Sequence, residues 1–543
     1  MLERLVEYWL DSVNERGYQA PFCQMLVADE HRLVHSTRHS QIEFGKDVIS
    51  IAPDGVPCAF QLKGNPGARL TLAQFREVYG QINELIYQRI VYPGIPDVQH
   101  RSYLVTNGEI DEEVHRAVDD LNRSLDSRGF GPNQLTLIGR GELLDKAVRL
   151  GPDLWPFGII ELDSLLKLLS HRGDDILPAS EFHRVLTAIY GLDPDVLKTL
   201  SAAELPRKAT SAALLVGIAL RNFLLRQNHY ASVCAWTIYI SYTMAVCERY
   251  GMNFEAVKQC VSIAKSAIYD SLSALASEVI SRGKNYVEGQ GLADTEFYHA
   301  RLALLYALMS IYWQWNQREG LRPDTLDGVE KFLPSEFQPK TLWGEAAVPQ
   351  LLAHYWYFSQ RDPGISSELR LAAILNTILS CQDSGSRSPL APPYNDIQDV
   401  VRHRLHEQLI TTNDPLEDQH IRGMSFFCEP LLHLIVRANL KMTCKSLWPA
   451  FTMVGCRHFE VEEPWQFCLT RSSRGSDSQR HYPHTYSWLD LQNEAKSTSI
   501  VKVPRMFLDE PLLLLLFVIQ FPYRATPEVI RFLGRQLSDI WFL

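Results

Sequence analysis

The sequence predicts an α/β domain, a mixed central sheet flanked by helices, followed by a large and mostly α-helical region. Three observations predict it. Residues 1 to about 165 alternate helix-like and strand-like hydrophobic patterns. From about 180 onward almost every segment has helical periodicity. The chain is 543 residues long and 46% hydrophobic, too much for one ordinary core, so two to four domains are expected. The expected division is 1–165 for the α/β domain, 166–180 for a linker and 181–543 for the helical region. A further break, if there is one, falls in the polar, Pro/Ser-rich stretch 382–396.

In the first region, Leu2, Leu5, Val6, Trp9, Leu10 and Val13 recur at helical spacing, with Gly17 as the expected stop. Residues 22–36 fit either pattern. "IEFGKDVISIA" predicts a strand, "PDG" a turn and "VPCAFQLKG" a second strand. "TLAQFREVYGQINELIYQRI" predicts a helix and "RSYLVTNG" a short buried strand. "DEEVHRAVDDLNRSLDSRG" predicts a helix stopped by Gly129, and "QLTLIGRGELLDKAV" a strand running into a helix. Strands that alternate with helices after an opening hairpin imply a sheet sandwiched by helices. In the second region, helices are expected at 211–227, 229–250, 253–282, 296–316, 346–360, 366–381, 395–410, 426–440 and 527–541, and a strand pair within 456–503.

Composition narrows the function classes. The formal net charge is −10, so gross electrostatics does not announce a nucleic-acid binder, and any grip on phosphates needs a local patch or a partner. The ten cysteines form no CxxC pair, and Cys456, His458 and Cys468 fit no zinc template. Scattered, reduced thiols predict a cytosolic protein. The first residues, MLERLVEYWLDSV, are amphipathic and acidic, unlike a signal peptide. The longest apolar run, Pro511 to Phe521, is shorter than the roughly 20 residues a membrane span needs, so no membrane association is expected.

The segment that carries chemistry is Glu43 to Asn65. Along its second strand Ala59, Gln61 and Lys63 share one face; along the first, Glu43, Gly45, Asp47 and Ile49 do. With the turn centred on Asp54, positions summing to 108 lie opposite. Asp47 then faces Gln61, with Lys63 one step diagonal. Directly opposed Cβ atoms are about 4.5–5.5 Å apart, so the spacing alone converges an acid, an amide and an ammonium. A two-residue turn at Asp54-Gly55 would instead set Asp47 opposite Leu62. Phosphodiester cleavage uses such a set: a divalent cation held by oxygen ligands, and a lysine that positions water or stabilises the transition state.

The arrangement D-x13-Q-x-K, with the acid in "GKD" and Q-x-K closing the next strand, resembles the PD-(D/E)xK nucleases, and among them the Mrr-like branch in which Gln replaces the usual Glu. The helix, strand, helix and strand that follow the hairpin are in that branch's order. The resemblance covers about residues 1–165. It implies a restriction-endonuclease-like fold, with Asp47 as metal-binding acid, Gln61 and the Leu62 carbonyl in the metal shell, and Lys63 as catalytic lysine. It implies one more acid from the first helix or just before Asp47, which leaves Glu7 or Glu43. The cofactor implied is Mg²⁺ or Mn²⁺, and the substrate nucleic acid, DNA before RNA. The chain departs from the family in that no Pro precedes Asp47; "PD" occurs at Pro53-Asp54, in the turn.

Two basic positions are candidates for the nucleic-acid backbone: Arg38 in "HRLVHSTRHS" and Arg69 in the glycine-bearing loop "KGNPGARLT". Both stretches read equally well as ordinary polar loops. Thr106 and Asn107 read as the cap of the following helix. A nuclease fused to a large helical region is also similar to bacterial defence effectors. That similarity implies a helical part that senses a trigger, binds an ATPase or sensor subunit, or forms a homo-oligomer. The alternatives are an inactive nuclease-fold scaffold and a sequence-specific restriction enzyme.

Overall fold

A computed structural model describes residues 2–36, 45–92, 94–96, 98–131, 134–150, 159–192, 200–201, 203–282, 295–334, 338–361, 365–382, 390–402, 423–469, 477–497 and 502–538. The chain forms two compact units, Met1–Ser271 and Leu272–Leu543. The linker expected at 166–180 therefore lies inside the first unit.

Unit 1 opens with α1 (Leu2–Leu10) and α2 (Glu15–Ala28). The expected stop at Gly17 is displaced: Asn14 caps α2 by accepting the Gly17 N–H at 3.0 Å, so Gly17 sits in the first turn of a new helix. Residues 22–36, which the pattern left open, finish α2 and form strand β1 (Arg32–Ser36). Then come β2 (Val48–Ile51), β3 (Pro57–Lys63) and β4 (Arg69–Leu70). The single helix expected over 71–90 is two, α3 (Leu72–Glu77) and α4 (Tyr79–Tyr87), with Val78 between them. β5 (Arg101–Thr106), β6 (Glu109–Ile110), α5 (Glu112–Ser127), β7 (Leu135–Ile138) and α6 (Arg140–Val148) complete the α/β part. Five helices follow: α7 (Ile159–Ser170), α8 (Ala179–Tyr190), α9 (Glu204–Leu225), α10 (His229–Arg249) and α11 (Lys258–Arg282), the last of which runs across the division between the units.

The main sheet has the order β1-β2-β3-β5-β7, with β1–β2 and β2–β3 antiparallel and β3–β5 and β5–β7 parallel. Parallel neighbours need crossover helices, and the segments between β3 and β5 and between β5 and β7 supply α4 and α5. One face of the sheet is closed by a core that includes Ala59, Phe75, Ile82, Leu85, Leu104, Val114 and Leu125. On the other face Phe22 of α2 meets Phe60 edge-on, 5.5 Å between ring centroids. α9 lies along α2. A Cβ at Gly217 would stand 2.6 Å from the Pro21 ring, so only glycine permits that approach.

Unit 2 is mostly helical, with a three-stranded sheet formed by Met424–Ser425, Gly455–Phe459 and Asp477–Arg480. A strand pair is present within 456–503, formed by Gly455–Phe459 and Asp477–Arg480; most of the segment expected near 500 lies outside the described residues. The apolar run after Pro511 is a buried ten-residue helix. In unit 1, α9 and α10 are long and apolar enough to cross a membrane, yet 72% and 94% of those stretches are buried inside the protein, as core helices are. The second half of 395–410 lies outside the described residues, as does the middle of 382–396.

Candidate active site

The β2–β3 hairpin decides the register. Ala52 donates its N–H to the Val56 carbonyl at 2.9 Å, and Gly55 donates to Ala52 at 2.8 Å with a φ of 83°. This is a three-residue loop closed by a left-handed residue, a conformation that favours glycine. An odd loop keeps the parity: Val48 pairs with Phe60 and Ile49 with Ala59, positions that sum to 108. Asp47 precedes the paired stretch and donates its N–H to the Phe60 carbonyl at 2.9 Å, so Asp47 and Val48 both stand opposite Phe60 and the ladder slips by one residue there.

Asp47 is buried, and its Oδ2 accepts two hydrogen bonds of 2.6 Å, one from Gln61 Nε2 and one from the Leu62 N–H. Gln61 is buried beside it, 4% exposed. Burial pushes the Asp47 carboxyl up; the Leu62 N–H and the Lys63 ammonium oppose that. Lys63 ends β3 half-buried, and its charge bears on Asp47 and on a second acid alike.

That second acid is Glu15, the first residue of α2. Its pKa is raised to about 7, first by burial and then by the charge of Asp47, with Lys63 and Arg16 pulling the other way. Three contacts bring α2 to the end of β3. The Tyr18 hydroxyl accepts the Lys63 N–H at 3.2 Å and lies 3.0 Å from the Lys63 carbonyl. A Cβ at Gly64 would stand 2.8 Å from the Glu15 nitrogen, so the chain can pass the helix only as glycine. Asn107 donates to the carbonyls of Leu10 and Val13 at 2.7 Å and accepts the Asn65 N–H at 2.8 Å, which ties the α1–α2 junction to the ends of β3 and β5.

The other sequence-based candidates fall elsewhere. Glu7 faces Arg140 of α6 in an ion pair at 3.6 Å, and Arg140 also holds Asp11 at 2.8 Å. The helix acid beside Asp47 is therefore Glu15, eight residues further on. Arg69 is exposed and paired with Glu109 at 3.0 Å and Asp111 at 3.7 Å. Glu43 and Arg38 lie outside the described residues. Thr106 and Asn107 do not cap α5, whose N-cap is Asp111; they are the buried brace just described. Nothing in the local pattern around Glu15 marks it, because its role depends on where α2 lands. The signal that was present is Asn14, a cap residue one position before an acid.

The acid pair suits a divalent cation. Two carboxylates press on each other in a partly desolvated place, and a bound cation would relieve that repulsion. Asp47 and Glu15 would hold it, with the Gln61 amide oxygen and the Leu62 carbonyl as further oxygen donors.

Among the described residues one other group has metal-ligand chemistry, Glu429, His433 and Glu494 of unit 2. Its atoms already have partners within the chain, except that Glu429 Oε2, 3.6 Å from His458 Nε2, accepts no hydrogen bond. The Tyr482 hydroxyl occupies its middle, 3.0 Å from Glu429 Oε1, 2.9 Å from Glu494 Oε2 and 3.5 Å from His433 Nε2. Arg531 donates to His433 Nδ1 at 2.9 Å. An arginine cannot accept, so the neutral imidazole carries its proton on Nε2, the nitrogen a metal would need. Burial raises the Glu494 carboxyl, but hydrogen bonds from His433, Arg480, Tyr486 and Tyr482 outweigh it and hold the group well below the usual range.

No family model, curated protein or solved structure matches the chain.

Proposed function

We propose that unit 1 is a metal-dependent nuclease that hydrolyses phosphodiester bonds, with DNA as the favoured substrate. The observation that carries the reading is the convergence of Asp47, Gln61, Lys63 and Glu15 at the shared end of β2, β3 and α2. The cation, Mg²⁺ or Mn²⁺, supplies charge neutralisation at the phosphate and lowers the pKa of bound water. Asp47 and Glu15 hold negative charge where a cation binds. Gln61 and the Leu62 N–H orient the Asp47 carboxylate, and Tyr18 and Gly64 keep α2 close enough for Glu15 to take part. Lys63 places an ammonium beside both acids, where it orients water and stabilises charge that develops on the phosphate oxygens. With a net charge of −10, the protein needs a local patch or a protein partner to hold nucleic acid. That need supports a regulated effector of antiviral defence, working with an ATPase or sensor subunit or as a homo-oligomer.

The test offers plasmid, linear and single-stranded DNA and RNA to the purified full chain with Mg²⁺ or Mn²⁺, beside Asp47→Ala, Lys63→Ala and Glu15→Gln. Cleavage by the parent and by none of the three is the expected result. Cleavage that survives Asp47→Ala and Lys63→Ala overturns the site. A second reading, an inactive scaffold, is favoured by the two short hydrogen bonds on Asp47 Oδ2, which make that carboxylate a clip for the hairpin. It expects no cleavage under any condition and a loss of stability in Asp47→Ala.

A further inference from the structure

At the opposite end of α2 from Glu15 lies a cavity of about 730 Å³ within unit 1. A fourteen-residue helix is about 20 Å long, so this cavity is separate from the candidate active site. Its volume is in the range of small-molecule sites. Arg32, Lys146, Arg149 and Arg207 line it together with Asp29 and Glu30, four cations against two carboxylates.

Two of the cations have an ordinary explanation. α2 and α6 both end at the cavity, and cations are at home beside the terminal carbonyls of helices. Lys146 and Arg149 sit in that position, and both also pair with Asp29. Arg207 does not fit that account. It stands at the start of α9, where the helix dipole disfavours a positive charge, and it reaches across to the Arg149 carbonyl at 3.3 Å. Arg32 comes from the first residue of an edge strand. The remaining wall includes an apolar part, Met25, Leu150 and Pro206, and two polar side chains, His31 and Gln259. The turn that closes α2 has a second irregularity. His31 and Glu30 donate back to Leu26 and Val27, a turn whose left-handed position favours glycine, yet Glu30 holds it with a φ of 63°. The backbone there is held, and the Glu30 side chain stands exposed at the rim.

We propose that this cavity binds a nucleoside phosphate, with the phosphates on Arg149 and Arg207, the base against the apolar wall, and Glu30 accepting from a ribose hydroxyl. Arginines suit phosphate because their planar fork donates two parallel hydrogen bonds. The inference stands on the cavity alone and does not need unit 1 to be a nuclease.

Calorimetry and thermal shift on the full chain, with ATP as the probe and EDTA present, provide the test. EDTA prevents a bridging cation from drawing ATP to Asp47, and Asp47→Ala serves as the control that should bind unchanged. ATP is expected to bind and to raise the melting temperature. Arg207→Ala and the double variant Arg149→Ala/Arg207→Ala should each weaken binding by about tenfold or more. Both side chains are exposed, so the melting temperature of the ligand-free protein should hardly move. Adenosine and pyrophosphate should each bind more weakly than ATP. No binding of ATP at millimolar concentration overturns the proposal. So does a double variant that binds ATP as tightly as the parent, or pyrophosphate that binds as tightly as ATP.

Discussion

Two pairs of buried or half-buried carboxylates, one in each unit, carry opposite electrostatics. In unit 2, Glu429 and Glu494 share the hydroxyl of Tyr482, and Arg480 reaches both, at 2.6 Å from Glu494 and 3.7 Å from Glu429. Glu494 is held well below its ordinary pKa by hydrogen bonds from the chain itself, while Glu429 is served through Oε1 alone and its Oε2 accepts no hydrogen bond. In unit 1, Asp47 and Glu15 press on each other with Lys63 as the cation acting on both, and Glu15 is driven up to about 7. The difference teaches how to tell a structural acid cluster from one that awaits a ligand. Residue types and proximity alone select the unit 2 group as the metal candidate. Tyr482 and Arg480 already serve both carboxylates of that group, which leaves a cation less to offer there, whereas at Glu15 burial and the Asp47 charge raise the pKa, a repulsion that a bound cation would relieve.

The largest expected effect is on catalysis. Asp47→Ala and Lys63→Ala should each lower metal-dependent cleavage by about 10³-fold, some 4 kcal/mol in the barrier. Glu429→Ala should leave cleavage per folded molecule unchanged. If Glu429→Ala abolished cleavage in a folded protein, the comparison would be inverted.

Next comes the stability of the Glu429 cluster. Glu429→Ala leaves Arg480 and Tyr482 facing a cavity and should cost about 3 kcal/mol in urea unfolding. EDTA should not shift the parent's unfolding midpoint for this unit; a shift would show that the cluster holds a metal after all.

A smaller effect, of opposite sign, is expected at Glu15. Its folded pKa of about 7 lies above its ordinary value of 4.5, so the folded state binds more protons in between, and the stability this contributes is lost as pH rises through 7. Glu15→Gln escapes that loss. It should be more stable than the parent at pH 8 by about 1–2 kcal/mol, and the gain should fade towards pH 4. A destabilised Glu15→Gln at pH 8 would mean that the carboxylate is structurally satisfied, like Glu494 in unit 2.

The smallest effect tests the donor count directly. Tyr486→Phe removes one of the hydrogen bonds on Glu494 and should cost about 1 kcal/mol, with activity unchanged.

How much of this was legible depends on sequence distance. The hairpin was, because fourteen residues separate Asp47 from Gln61 and local register decides whether they meet. The turn parity was left open by the pattern and closed by Gly55, whose left-handed backbone makes the loop three residues rather than two. The helix-like texture of 211–282 was legible too, since periodicity reports burial of a face. That this stretch, as far as Ser271 within α11, belongs to the same compact unit as the sheet was not, because periodicity does not say which partner buries the face.

By itself, then, the sequence determined the opening hairpin and the alternation of strands and helices after it, the helical character of the second unit, and the meeting of Asp47, Gln61 and Lys63 on one hairpin. Each rests on interactions between residues close along the chain. The tertiary structure alone decided that Glu15 lies beside Asp47 while Glu7 pairs with Arg140. It also decided that Asn107 and Gly64 hold α2 against β3, and that Tyr482 sits between Glu429 and Glu494. Those outcomes depend on how distant segments dock, and docking is set by the packing of whole faces, which no local pattern encodes.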